Sequence, residues 1–127
     1  MSLRGELEKI LRELMDAVGG DVIGCAFART DGLMVASILP AGVDERRIAA
    51  LGATIAGIAD KLCKDLNRGE PTRTMIEGSK GNLIATPVGE NILLIALTSE
   101  SPNLGLIFLE TERAAESARS IIGRRKR

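Results

Sequence analysis

The sequence predicts an α/β protein of the α+β type: a five-stranded antiparallel sheet held between one long helix and two terminal helices, in the order α-β-β-α-β-β-β-α. Three observations predict it. Apolar residues recur at three- and four-residue steps over 3–18 and again over 44–67. Five short, partly β-branched runs lie at 22–28, 33–38, 73–77, 82–88 and 92–98, all apolar except the charged one at 73–77, with Gly-, Asp-, Asn- and Pro-containing breaks between them. A last stretch, 101–123, again lines its apolar residues along one helical face. A chain of 127 residues fits one domain, here 1–123 with a basic tail at 124–127, and is long enough for a core without metals or disulfides.

Residues 3–18 form the first helix. Leu3, Leu7, Ile10, Leu11, Leu14, Met15 and Val18 make the buried stripe, and Glu6, Glu8, Lys9, Arg12 and Glu13 the wet side. Ser2 suits an N-cap and Gly19-Gly20 a stop. Val22–Ala28 is almost wholly apolar, as expected of an inner strand covered on both faces. Asp31-Gly32 then separates it from Leu33–Ile38, a hairpin signal for a type I′ turn. Pro40-Ala41-Gly42 breaks the chain before the long helix.

The stretch from Asp44 to Asn67 is the longest element, roughly 36 Å as a helix. Asp44 is a natural N-cap, and Val43 can staple onto Ile48. Ile48, Leu51, Ile55, Ile58, Leu62 and Leu66 gather into one apolar stripe. The other side is small rather than charged: Ala49, Gly52, Ala53, Ala56 and Gly57, with Asp60 beside them. Each interior glycine costs about 1 kcal/mol relative to alanine, so a close contact is expected to offset it. That contact is either a second helix, for which small residues clear the way as they do in membranes, or the chain's own sheet.

Arg68-Gly69 and Pro71 end this helix. The short, charged run Arg73, Thr74, Met75, Ile76, Glu77 reads as an edge strand, where two sheets can join. Asn82–Val88 and Ile92–Thr98 follow, the latter apolar enough to be central. Leu104–Leu109 admits a sixth strand, but Leu104, Ile107, Phe108, Thr111, Ala115, Ala118 and Ile122 share a helical face. Ser101 before Pro102 reads as an N-cap followed by proline at the first helical position, so helix is preferred. Arg124-Arg125-Lys126-Arg127 reads as a solvated basic tail, or a weak anionic anchor.

The composition excludes several activities. Lys+Arg and Asp+Glu are both 17, so no net field attracts nucleic acid or anionic lipid. There is no His, which removes Ser–His and Cys–His nucleophiles and histidine metal sites. Neither a phosphate-binding GxxxxGK[ST] nor a GxGxxG stretch occurs. With Phe27 and Phe108 the only aromatics, base stacking has almost no platform. Cys25 and Cys63 read as buried free thiols. The apolar runs are too short to span a bilayer, and no signal-peptide apolar region is present, so a cytoplasmic location is expected. No catalytic residue, metal or cofactor is expected, and the chain is not read as an enzyme.

Four phrases, "ARTDGLMVAS" at 28–37, "ERRIAALGATIAGIADKL" at 45–62, "GNLIATPVGENILLIAL" at 81–97 and "NLGLIFLETERAAES" at 103–117, resemble the Roadblock family named for dynein light chains, here in the form of a prokaryotic member. The resemblance implies strand order 2-1-5-4-3, with the long helix on one face and the terminal helices on the other. It implies a homodimer or paralogue heterodimer, in which the long helices pair and the 73–77 strands join two sheets into ten strands. Interface candidates are therefore Ala49, Gly52, Ala53, Ala56, Gly57, Asp60 and residues Arg73, Thr74, Met75, Ile76 and Glu77. Family members mostly serve as platforms or regulators for small Ras-like GTPases. The leading expectation is accordingly a non-enzymatic adaptor for such a GTPase, contacting it through Glu45, Arg46, Lys61, Lys64 and Asp65. Arg29, Arg46, Arg47, Arg68 and Arg73 are the candidates for an arginine inserted in trans. The alternatives are a scaffold subunit without GTPase contact and a small-ligand sensor using Ser37, Thr86 and Thr98.

Overall fold

A computed structural model describes residues 2–125. Its elements are α1 (Leu3–Val18), β1 (Val22–Arg29), β2 (Met34–Ile38), α2 (Glu45–Asp65), β3 (Thr74–Gly78), β4 (Gly81–Pro87), β5 (Ile92–Thr98) and α3 (Leu104–Arg125). The strands form one antiparallel sheet in the order β2-β1-β5-β4-β3, the order expected, with β1 and β5 central and β3 at an edge.

The sheet separates two apolar layers. Leu7, Leu11 and Leu14 of α1, Ile107, Ala115 and Ala118 of α3, and Cys25, Phe27, Ile84 and Leu94 of the strands fill the larger one. The smaller lies under α2 and holds Ala28, Ile48, Ala49, Leu93 and Ile95. Because successive strand residues point to opposite faces, residues 93 and 95 serve α2 while Leu94 and Ala96 serve the other helices. The continuous apolarity of β1 and β5 follows from this double cover.

Local chemistry sets the element ends. Ser2 Oγ accepts from the Gly5 N–H at 3.0 Å, and Asp44 Oδ1 from the Arg46 N–H at 3.0 Å, so both expected N-caps form. Gly19 takes φ +62° and ends α1. Other ends differ from the sequence reading. The stop of α2 is Asn67, at φ +59°, with the Arg68 N–H donating to Cys63 O at 2.7 Å and the Asn67 N–H to Lys64 O at 3.2 Å. That is a Schellman closure with asparagine in the left-handed position, ahead of Gly69. The α3 cap is Asn103, whose Oδ1 accepts from the Leu106 N–H at 3.2 Å, not Ser101. Asp21 Oδ2 fixes Asn103 by accepting its N–H at 2.8 Å. In the β1–β2 turn only Gly32 has positive φ, +95°. Arg29 N–H bonds Leu33 O at 2.8 Å across three loop residues, so the turn is one residue longer than the two-residue type expected.

Helix α3 runs through Arg125, so Arg124 and Arg125 form its last turn, and Arg125 Nη2 meets Glu6 Oε2 of α1 at 3.1 Å. Lys126 and Arg127, the rest of the expected tail, lie outside the described residues.

Candidate partner interface

The two faces of α2 are exchanged relative to one sequence-level alternative. Ala49 is fully buried, and a Cβ built on Gly52 would sit 2.6 Å from Ile95 Cδ1. Ala56 packs against the same cluster. The small side therefore lies on the chain's own sheet, where Leu93 and Ile95 fill the layer and only short side chains let the helix come down. Ala49 and Gly52 are covered from within and cannot meet a second helix, which corrects their place among the interface candidates. Ala53 is half-buried; Gly57 and Asp60 are exposed. A Cβ on Gly57 would touch nothing within 4 Å. Its helix cost of about 1 kcal/mol is not offset inside this chain.

The large side chains instead face water. Leu51, Ile58, Leu62 and Leu66 are 47%, 61%, 51% and 59% exposed, while Ile48, in the first turn, stays in the core. Beside this ridge runs β3, which bonds β4 on one side and has no described strand on the other. Ile76 is 51% and Met75 37% exposed. Ile55, Ile58, Leu62, Thr74 and Ile76 together line an open trough of about 480 Å³ between α2 and β3. Alternation sends Arg73, Met75 and Glu77 to the opposite face, where the Arg73 guanidinium lies 3.8 Å from the centroid of the Phe108 ring.

The other charged candidates are scattered over the surface. Glu45, Arg46, Lys61, Lys64 and Asp65 are all exposed. Lys61 pairs with Asp65 at 3.0 Å, and a Glu45 carboxylate oxygen accepts from the Ser37 hydroxyl. Arg29 pairs with Asp31 at 2.7 Å; Arg68 Nε donates to Leu66 O at 2.9 Å; Arg47 is exposed. These positions do not converge on one point.

The hydroxyls considered for a ligand are also dispersed. Thr98 Oγ1 accepts from the Asn82 N–H and donates to Ser99 O, both at 2.9 Å. Buried Thr86 Oγ1 has no hydrogen-bond partner among the described residues and sits on the α1–α3 side, opposite Leu94. The gap beneath α2, lined by Ile55, Ala56, Ala85 and Leu93, holds about 40 Å³. That is room for about one water. Both cysteines are free, and Cys63 is half-buried, not fully buried as read. Burial pushes the Cys25 thiol up to about 12, so it stays protonated and inert. No group of three or more His, Cys, Asp or Glu among the described residues could hold a metal, and no described helix is long and apolar enough to cross a membrane.

Fold and surface thus define a helix-sandwiched antiparallel sheet whose distinctive feature is a bare apolar face. The chain belongs to the Roadblock/LC7 family: a Roadblock/LC7 domain match spans residues 7–98. It is 34% identical over 115 residues to the MJ1340 protein of Methanocaldococcus jannaschii, covering 91% of this chain and 98% of that one. In structure it resembles Myxococcus xanthus MglB, with a TM-score of 0.87 at 20% identity over 94% of this chain and 89% of the other. It also resembles a Roadblock/LC7 domain from Streptomyces avermitilis, with a TM-score of 0.85 at 15% identity over 92% and 98% of the two chains. These likenesses agree with the observed sheet order and helix placement.

Proposed function

We propose that this protein is a non-enzymatic dimeric adaptor that binds a small Ras-like GTPase and modulates its nucleotide cycle. The observation that carries the reading is the exposed ridge Leu51, Ile58, Leu62 and Leu66 running alongside an unpaired edge strand. Single soluble chains rarely expose contiguous apolar patches beyond a few hundred Å². A second copy, or a close paralogue, covers both features at once: ridge against ridge, and β3 against β3 to make ten strands. What then remains outermost on α2 is the strip Ala50, Thr54 and Gly57, flanked by Arg46, Lys61 and Lys64. Ala50, Thr54 and Gly57 are exposed and short, so a partner backbone can approach closely there.

Family membership supports a GTPase as that partner. A platform of this kind need contribute no reacting group. Holding a switch segment in one conformation lets the GTPase's own residues and Mg²⁺ surround the γ-phosphate. The test is GTP hydrolysis by small GTPases from the same genome, measured with and without this chain, beside recovery of the GTPase on immobilised chain in GTP and in GDP. GTP-dependent recovery of at least one GTPase with a changed hydrolysis rate is expected. Nucleotide-blind recovery of a larger assembly would support the scaffold alternative; no binding of any GTPase would remove the regulator reading.

A further inference from the structure

We infer that the free β3 edge selects a second copy of this chain in one register, with Met75 facing Met75 across the two-fold axis and Arg73 opposite the partner's Glu77, twice. This rests on the dimeric reading above and adds what sets the fit.

Backbone geometry limits the choices first. β3 and β4 are joined by the two-residue loop Ser79-Lys80, with Gly78 paired to Gly81, Ile76 to Leu83 and Thr74 to Ala85. In such a hairpin the residues closing the loop exchange hydrogen bonds, and bonded and non-bonded pairs then alternate. Thr74 and Ile76 therefore spend their N–H and C=O groups on β4, while Met75 and Glu77 turn theirs to the open edge. An incoming antiparallel strand can bond only where its own outward residues meet these. Registers displaced by one residue fail, because they set an outward group against an inward one.

Charge then decides among the registers that remain. Arg73 and Glu77 lie four apart on the same sheet face, with opposite sign. Neither forms an ion pair with another described residue, and Arg73 is already held over Phe108 at 3.8 Å. An antiparallel pair centred on Met75 brings each arginine opposite the other copy's glutamate. A slip of two residues sets one of these charges against Met75. A slip of four sets Arg73 against Arg73, or Glu77 against Glu77. Opposite charges across strands stabilise and like charges destabilise, so the +/− order along this strand is self-complementary in one register alone. The axis through Met75 also keeps Ile76 and the α2 ridge on the same face in both copies, so strand pairing and ridge contact are compatible.

The test is a charge exchange read by native mass spectrometry and sedimentation equilibrium. Arg73→Glu and Glu77→Arg are made separately. Each alone is expected to weaken self-association at least about tenfold, because both symmetric pairs become like-charged. Mixing the two variants is expected to restore tight association as a mixed dimer, and R73E/E77R in one chain is expected to self-associate like the unaltered protein. Glu77 is exposed and has no ion-pair partner among the described residues, so Glu77→Arg keeps the result readable should loss of the Phe108 stacking disturb the Arg73 variant. If both variants self-associate as tightly as the unaltered chain and show no preference on mixing, the register is wrong although the dimer stands. If the unaltered chain is itself monomeric, the dimeric reading fails and this inference fails with it.

Discussion

Ile58→Glu or Leu62→Glu is expected to turn a dimer into a folded monomer. Both side chains are more than half exposed within the single chain, so a carboxylate there remains solvated and the fold keeps its core. In the proposed dimer each side chain would be buried, and the substitution would enter twice. Full burial of such a side chain contributes about 1.5–3 kcal/mol, and about half of that is still to be gained at these half-exposed positions. Losing it twice costs about 1.5–3 kcal/mol, and two carboxylates forced together in an apolar contact add to that. The dissociation constant should rise by at least about 10–10²-fold. Light scattering would show the mass halved, while the far-UV circular dichroism spectrum stays unchanged. A variant that remains dimeric at the same concentration would show that the ridge is not the contact. Ala49→Glu is the contrast: that position is sealed under the sheet, so the same charge should unfold the chain.

Gly81→Ala is expected to be the most damaging single-methyl change. Gly81 opens β4 with φ +140°, a backbone state L-residues rarely adopt, and its Cβ would lie 2.4 Å from the backbone oxygen of Thr98. Backbone cannot step aside as a side-chain tip can. Strain at such a position costs about 1–3 kcal/mol and overpacking a further 1–3 kcal/mol. A loss of about 3 kcal/mol or more should lower the melting temperature by roughly 10 °C in a domain of this size. Thermal denaturation followed by circular dichroism reads it directly; a shift of only about 2 °C would contradict the assignment of strain. The same hairpin presents β3, so loss of this turn should weaken self-association as well as stability. Gly52→Ala differs in kind. Its added methyl meets only the tip of Ile95, which can rotate, and helix propensity gains about 1 kcal/mol.

Much of this architecture is legible from residue order. The α1 stripe, the Ser2 and Asp44 caps, the five strands and the exposed edge at 73–77 all follow from periodicity and turn chemistry. The outward direction of α2 does not. Both of its sides are non-polar, and a 3.6-residue period says which residues share a face without saying where that face points. Size was the available clue: against a layer filled by Leu93 and Ile95, only the Ala49–Gly52–Ala56 side fits closely. Leu51, Ile58 and Leu62 are then left over, where hydrophobicity alone would have buried them. The cap at Asn103 was illegible for another reason, since the residue that fixes it, Asp21, is remote in sequence. The length of the β1–β2 turn is not legible either, because Asp-Gly serves both the two-residue turn and the longer one that forms. The exposed charges at Glu45, Arg46, Lys61, Lys64 and Asp65 carry no pattern that distinguishes a contact from a solvated surface. Their place in the proposed interface depends on their nearness to the outer strip of α2.

The most direct trial is the sedimentation of the unaltered chain across a dilution series from millimolar to micromolar. Cover of the ridge by a second copy predicts a particle of twice the 13.5 kDa chain mass, persisting at micromolar concentration. A 13.5 kDa particle at every concentration would contradict it, leaving Leu51, Ile58 and Leu62 bare in solution.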